Sequence, residues 1–172
     1  MDTRAHSVRL AECCKVGAEC LGAVVEHIGI VTTPQLHHCV YNNNRADKWD
    51  GLDGFYAKVE YYFKGLLRNV KDMNGTSEKR GSLVIDCANG VGGPRMEPLI
   101  PKLKGYLNVE LRNNGNLELL NSKCGAEHCQ KKRLPPLSCS GESDKGIRFA
   151  SYDGDADRVV FFYFDKKFLS KF

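Results

Sequence analysis

Residues 82–93 read SLVIDCANGVGG, and no other stretch limits the fold as sharply. An apolar run, Leu83 to Ile85, is stopped by Asp86 and enters a glycine-rich turn. The sequence after it predicts a helix toward Leu103. A short, fully apolar strand feeding a turn and a helix is the opening of an α/β unit, in which a sheet is covered by helices. The turn holds Gly90, Gly92 and Gly93, which form neither a G-x-G-x-x-G fingerprint nor a P-loop with its lysine. The glycines are therefore read as permitting close helix–strand packing, and no dinucleotide site is expected.

Other elements follow from periodicity and punctuation. Val8 to Val24 has apolar residues near helical spacing, with Ser7 as its N-cap. VVEHIGIVTTP (residues 24–34) predicts a short strand with a turn at Gly29, and QLHHCVYNN predicts a helix starting at Pro34. Residues 42–52 are polar and rich in turn formers, a linker between two units, 1–48 and 49–172. Asp53 to Val70 reads as an amphipathic helix and residues 71–81 as an exposed loop. Residues 106–111 predict a second strand, and 113–145 a long loop containing one short helix. IRFASY and VVFFYF are two strands joined by an acidic turn. The expected class is α/β, with mixed sheets sandwiched by helices.

Composition excludes several functions. The chain has 172 residues, 42% hydrophobic and 27% charged, a globular balance that argues against disorder. Nothing approaches the roughly 18 consecutive apolar residues of a membrane helix, and the N-terminus lacks a signal-peptide pattern. A cytoplasmic location without membrane contact is expected. The formal charge of +4 includes short basic clusters at 131–133 and at Lys166–Lys167 without interleaved aromatics, so no nucleic-acid partner is expected. The eight cysteines are read as reduced thiols. Cys124, His128, Cys129 and Cys139 lack the paired knuckle spacing of structural zinc. His37 and His38 are read as structural.

The acidic turn carries the chemistry. Asp153, Asp155 and Asp157 alternate with Gly154 and Ala156, and Arg158 follows. Like charges this close disfavour ionisation unless a cation neutralises them. Oxygen-only ligands select a hard cation such as Mg2+ or Ca2+. Alternate residues of an extended strand lie roughly 6.6 Å apart, so the backbone must curl for the three carboxylates to share an ion, and the small residues between them allow it. An EF-hand loop starting at Asp153 would need glycine and glutamate where Arg158 and Phe164 stand. In haloacid-dehalogenase-type phosphatases the buried strand precedes the acids, whereas here the stronger apolar run follows them. Three carboxylates fill only part of an octahedral shell, and a guanidinium beside the ion suits a phosphate oxygen. The pattern points to phosphoryl transfer.

DGDADR at 153–158, flanked by strands, resembles the metal loop of the α-D-phosphohexomutases. DTR at 2–4, GIVTTPQLHHCVYNNN at 29–44 and VIDCANGVGG at 84–93 resemble that family's first domain and the opening of its second. The double threonine with PQLH, and NSKCGAE at 121–127, resemble the branch that acts on N-acetylglucosamine phosphates. The resemblance implies interconversion of the 6-phosphate and the 1-phosphate through a phosphoserine and a bisphosphate intermediate. It implies Mg2+ held by Asp153, Asp155 and Asp157, Arg158 steadying the phosphoryl group or the serine, and an amino-sugar phosphate substrate. The family's phosphoserine string, like T-A-S-H-N-P, does not occur in these 172 residues, nor do its sugar- and phosphate-binding loops. The chain is accordingly expected to be the second half of domain 1 plus most of domain 2, with the missing domains supplied by a parent chain. By itself it is expected to lack mutase activity. A non-catalytic truncated product that binds Mg2+ or a partner protein is the alternative.

Overall fold

The computed structural model describes residues 4–45, 51–74, 81–139, 142–164 and 168–170. Asp2 and Thr3 of the DTR segment, the Lys166–Lys167 pair, and parts of the predicted 42–52 linker and 71–81 loop lie outside the described residues.

Among the described residues, one five-stranded mixed sheet organises the fold, with strands in the order β2-β1-β3-β4-β5. Strands β1 (Ser82–Asp86), β2 (Asn108–Arg112) and β3 (Arg148–Tyr152) are parallel, whereas β4 (Val159–Phe164) and β5 (Phe168–Ser170) continue the sheet antiparallel. Strand alternation sends Val84, Phe149, Val160 and Phe162 to one face. There they pack under Ala126 and Cys129 of α6 (Ala126–Lys132) and under Cys139. Ile85, Cys87 and Ala150 face the other way, with Met96, Val109, Leu111 and Tyr152 against them. Helical segments thus cover both faces, as an α/β chain requires. Beyond their reach on the second face, Val159 and Phe161 remain 46% and 58% exposed.

The predicted helix toward Leu103 is three short pieces: α4 (Gly92–Met96), a 3-10 turn at Glu97–Leu99 and α5 (Ile100–Leu103). Pro98 and Pro101 each lack the N–H that would carry a helix through and are tolerated only in a first turn, so each restarts it. Among its described residues, the region after β2 contains the one short α-helix expected, α6, flanked by 3-10 turns at Leu117–Leu119 and Glu142–Asp144. Arg112 ties this region to the sheet, donating to the Ser138 carbonyl at 3.0 Å and to Asp144 at 2.8 Å.

Among the described residues, three helices precede the sheet. α1 (Ser7–Cys20) ends four residues before the predicted Val24. Gly22, at φ +80°, and Ala23 turn back to donate to the Glu19 and Ala18 carbonyls, a Schellman stop. Its N-cap is His6, not Ser7, and makes no side-chain cap bond. The strand predicted at 24–34 does not form. Val24 is fully exposed, and no described strand lies alongside to accept its backbone bonds. α2 (Thr33–Asn43) starts one residue before Pro34, capped by Thr32 and Gln35 in a reciprocal box. α3 (Gly51–Asn74) runs against α2, and its Glu60 meets Lys102 of α5 at 2.6 Å. Among the described residues no helix is long and apolar enough to cross a membrane.

Candidate metal centre

Strands β1, β2 and β3 are parallel, so their carboxyl ends meet at one edge of the sheet, the edge where open α/β sheets bind ligands. Asp86 closes β1 there and is fully buried. Its carboxyl group accepts from the Ala88 N–H at 3.2 Å, Asn113 Nδ2 at 2.7 Å, the Gly125 N–H at 2.7 Å and the Ser151 hydroxyl. One side chain thereby fixes the glycine-rich turn, the loop after β2, the start of α6 and the end of β3. The sequence marked Asp86 only as a strand end; an acid closing an apolar run was the available signal for this organising role.

The acidic turn, 153–158, joins β3 to β4, with Tyr152 paired to Val159. The Ala156 N–H donates to the Asp153 carbonyl at 3.2 Å. The curl that the spacing demands is taken at Ala156, whose φ is +56°. A non-glycine residue there costs about 1 kcal/mol and persists because the surroundings hold it. Gly154 serves another purpose: the Val91 N–H donates to its carbonyl at 2.9 Å, and a Cβ on Gly90 would lie 2.3 Å from that same oxygen. The glycine-rich turn therefore seats the acidic one. Close approach is indeed the use of Gly90, but between two loops and not between helix and strand.

In this setting Asp153, Asp155 and Asp157 each offer an oxygen within 4.8 Å of the others. Asp153 is buried, Asp155 half-buried and Asp157 exposed. Burial pushes the Asp153 carboxyl up, but the Arg158 backbone N–H at 3.1 Å and guanidinium Nε at 2.8 Å outweigh it, and the net direction is down. Asp157 is pushed up by its hydrogen bond and negative charge from Asp153. Asp153 and Asp157 thus share a space that only partly suits both of their charged forms, and all three aspartates offer it carboxylate oxygens. That donor set fits a hard divalent cation. Arg158 turns its guanidinium back on the turn, 2.7 Å from Asp153 and 3.5 Å from Asp157, with its side chain 56% exposed.

The structure brings one further residue to this turn. Thr33, at the start of α2, donates from Oγ1 to Asp155 Oδ2 at 2.9 Å and from its N–H to the Asp155 carbonyl at 3.2 Å. The cysteines stand apart from the site. Among the described residues, the aspartate trio is the sole His/Cys/Asp/Glu cluster with metal-holding spacing, and Cys124, His128, Cys129 and Cys139 are not gathered into one. Burial pushes the thiols of Cys87 and Cys129 up to about 12 and those of Cys124 and Cys139 up to about 11. All eight cysteines are free thiols. His38 packs edge-on against Phe55 and lies 2.8 Å from Asn42 Nδ2, a structural placement.

Residues 60–160 match the family described as phosphoacetylglucosamine mutase AMG1, domain II. The chain is 41% identical over 143 residues to the phosphoacetylglucosamine mutase of Oryza sativa subsp. japonica, covering 83% of this chain and 25% of that protein. It is 33% identical over 166 residues to the Homo sapiens phosphoacetylglucosamine mutase, covering 95% of this chain and 30% of that protein. The crystal structure of Aspergillus fumigatus N-acetylphosphoglucosamine mutase, in complex with GlcNAc-6P and magnesium, superposes with a TM-score of 0.81 at 33% identity. That match covers 98% of this chain and 34% of that one. The chain thus spans about a third or less of the length of the relatives it matches.

Proposed function

The chain belongs to the phosphoacetylglucosamine mutase family, and from that premise we propose that it carries the metal-binding part of an enzyme interconverting N-acetylglucosamine 6-phosphate and N-acetylglucosamine 1-phosphate. The observation that carries the reading is the meeting of Asp153, Asp155 and Asp157 at the carboxyl edge of the sheet, within 4.8 Å of one another. The three aspartates are the Mg2+ ligands. The ion, when bound, supplies charge neutralisation at a phosphoryl oxygen, the dominant requirement of phosphoryl transfer. Arg158 has two roles. Its backbone N–H and Nε orient Asp153, and the exposed remainder of its guanidinium grips a phosphate oxygen of the amino-sugar phosphate. The Aspergillus relative, crystallised with GlcNAc-6P and magnesium, supports both the ion and the substrate class.

The domain assignment is part of the same reading: residues 1–48 belong to a first domain and 49–172 to a second, the match over 60–160 supporting the latter. The phosphoryl-carrying serine and the loops that grip the sugar belong to other parts of the complete enzyme.

A chimaera tests the proposal. Residues 4–164 replace the corresponding segment of the Aspergillus enzyme, and turnover of N-acetylglucosamine 6-phosphate is measured. Activity that falls at least about 100-fold with Asp155→Ala is expected. A folded chimaera whose Asp155→Ala variant is equally active contradicts it.

A further inference from the structure

α2 begins against the acidic turn, and the contact is made at two points by one residue. Thr33 Oγ1 donates to Asp155 Oδ2 at 2.9 Å, and the Thr33 N–H donates to the Asp155 carbonyl at 3.2 Å. The two residues are 122 positions apart in sequence, so this is tertiary contact and not turn chemistry.

We propose that Thr33 is a positioning residue for the ligand Asp155, holding one carboxylate oxygen so that the other is aimed at the cation. The inference rests on the reading of the acidic turn as the Mg2+ site. An aspartate carboxylate rotates broadly about its last side-chain bond, and a ligand that must first be ordered binds an ion less tightly. Asp153 is oriented from within the turn by Arg158 and by burial. Asp155 is oriented from outside it, through Thr33.

Thr33 can do this because it is itself fixed. It is the first residue of α2, whose start is closed by the reciprocal bonds of Thr32 and Gln35. Gln35 is buried and donates to the Tyr56 hydroxyl of α3 at 3.0 Å. A helix leaves its first N–H groups without intrahelical partners; that of Thr33 is satisfied by the very residue its hydroxyl holds. Val31 and Thr32, just before it, are also buried. The orientation of Asp155 is thereby set by a segment of chain that precedes the sheet, not by the sheet that carries the turn.

Mn2+ alone, which shares the octahedral oxygen preference of Mg2+, is the probe, titrated into the 172-residue chain and followed by the spin-resonance signal of the free ion. Thr33→Val keeps the branched shape and the backbone bond but removes the hydroxyl. Thr33→Ala removes it without placing a methyl against the carboxylate. Both are expected to weaken Mn2+ binding at least about 10-fold, while Thr33→Ser restores it to within about threefold of the parent. Urea transitions in EDTA verify that each variant is folded. Unchanged affinity in Thr33→Val and Thr33→Ala, with binding abolished by Asp155→Ala, overturns the role of Thr33 and leaves the metal site standing. Thr33→Ser as weak as Thr33→Val overturns it too, since packing and not the hydroxyl would then matter. A parent chain that takes up no Mn2+ overturns both readings.

Discussion

At the scale of single residues, the acidic turn depends on groups that never touch an ion. Gly90 shows this most sharply. A Cβ there would lie 2.3 Å from the Gly154 carbonyl oxygen and 2.7 Å from its Cα, so alanine must push the backbone of the acidic turn aside. Gly93, three residues on, contrasts with it. Its Cβ would meet chiefly the amide end of exposed Asn114, which can rotate away, with the buried Cys87 Cβ at 3.1 Å needing to give only slightly, and alanine is the better helix former. Gly90→Ala is expected to cost about 1–3 kcal/mol in urea denaturation and Gly93→Ala less than about 1 kcal/mol. Equal losses in the two would show that the loop-to-loop approach is not what Gly90 provides. The sequence carried the aspartates in plain view because their crowding has a chemical consequence that composition alone can express. Thr33 and Asp86 act through partners that only the folded chain brings near. The left-handed residue of the turn was hidden for a similar reason: the tertiary frame imposes it on Ala156, where local preference would have chosen Gly154.

At the scale of elements, what could be read was what needed no partner to be recognised. Strands β1, β3 and β4 announced themselves as apolar runs bounded by turn residues, and α2 by its proline. The segment at 24–34 failed because a strand exists only in a ladder, and no described strand lies beside it. The helix after β1 failed in its continuity because periodicity does not register a missing N–H at Pro98 and Pro101. The cysteines divide along the same line between framework and exterior. Cys87, Cys124, Cys129 and Cys139 are buried among the elements of the sheet layer, while Cys13, Cys14 and Cys20 lie exposed on α1. With burial holding the four inner thiols at about 11 to 12, iodoacetamide at pH 8 is expected to alkylate the α1 cysteines within minutes. The inner four should react only in denaturant, as peptide mass mapping would read. Labelling of Cys129 at the rate of Cys13 would contradict the layered arrangement.

For the whole molecule, the acidic turn proposed as the Mg2+ site is mounted on one mixed sheet of the described residues. The sheet edge, the glycine-rich turn that seats it, Arg158 and the clamp from α2 are all within the described chain. Yet the chain spans only about a third or less of its relatives, and Val159, Phe161 and the apolar residues of α1 remain exposed on it. On the proposed reading, cation binding is the property to measure on this chain alone, and turnover is the property to measure in the chimaera. With three carboxylates and no phosphate oxygen to complete the shell, the affinity is expected to be weak, and further reduced because Asp153 and Asp157 repel each other when both are charged. The most direct measurement is a calorimetric titration of Mg2+ into the 172-residue chain and into its Asp155→Ala variant. Saturable binding by the parent that disappears in the variant is the predicted result; identical titrations of the two would contradict the assignment of the acidic turn as the Mg2+ site.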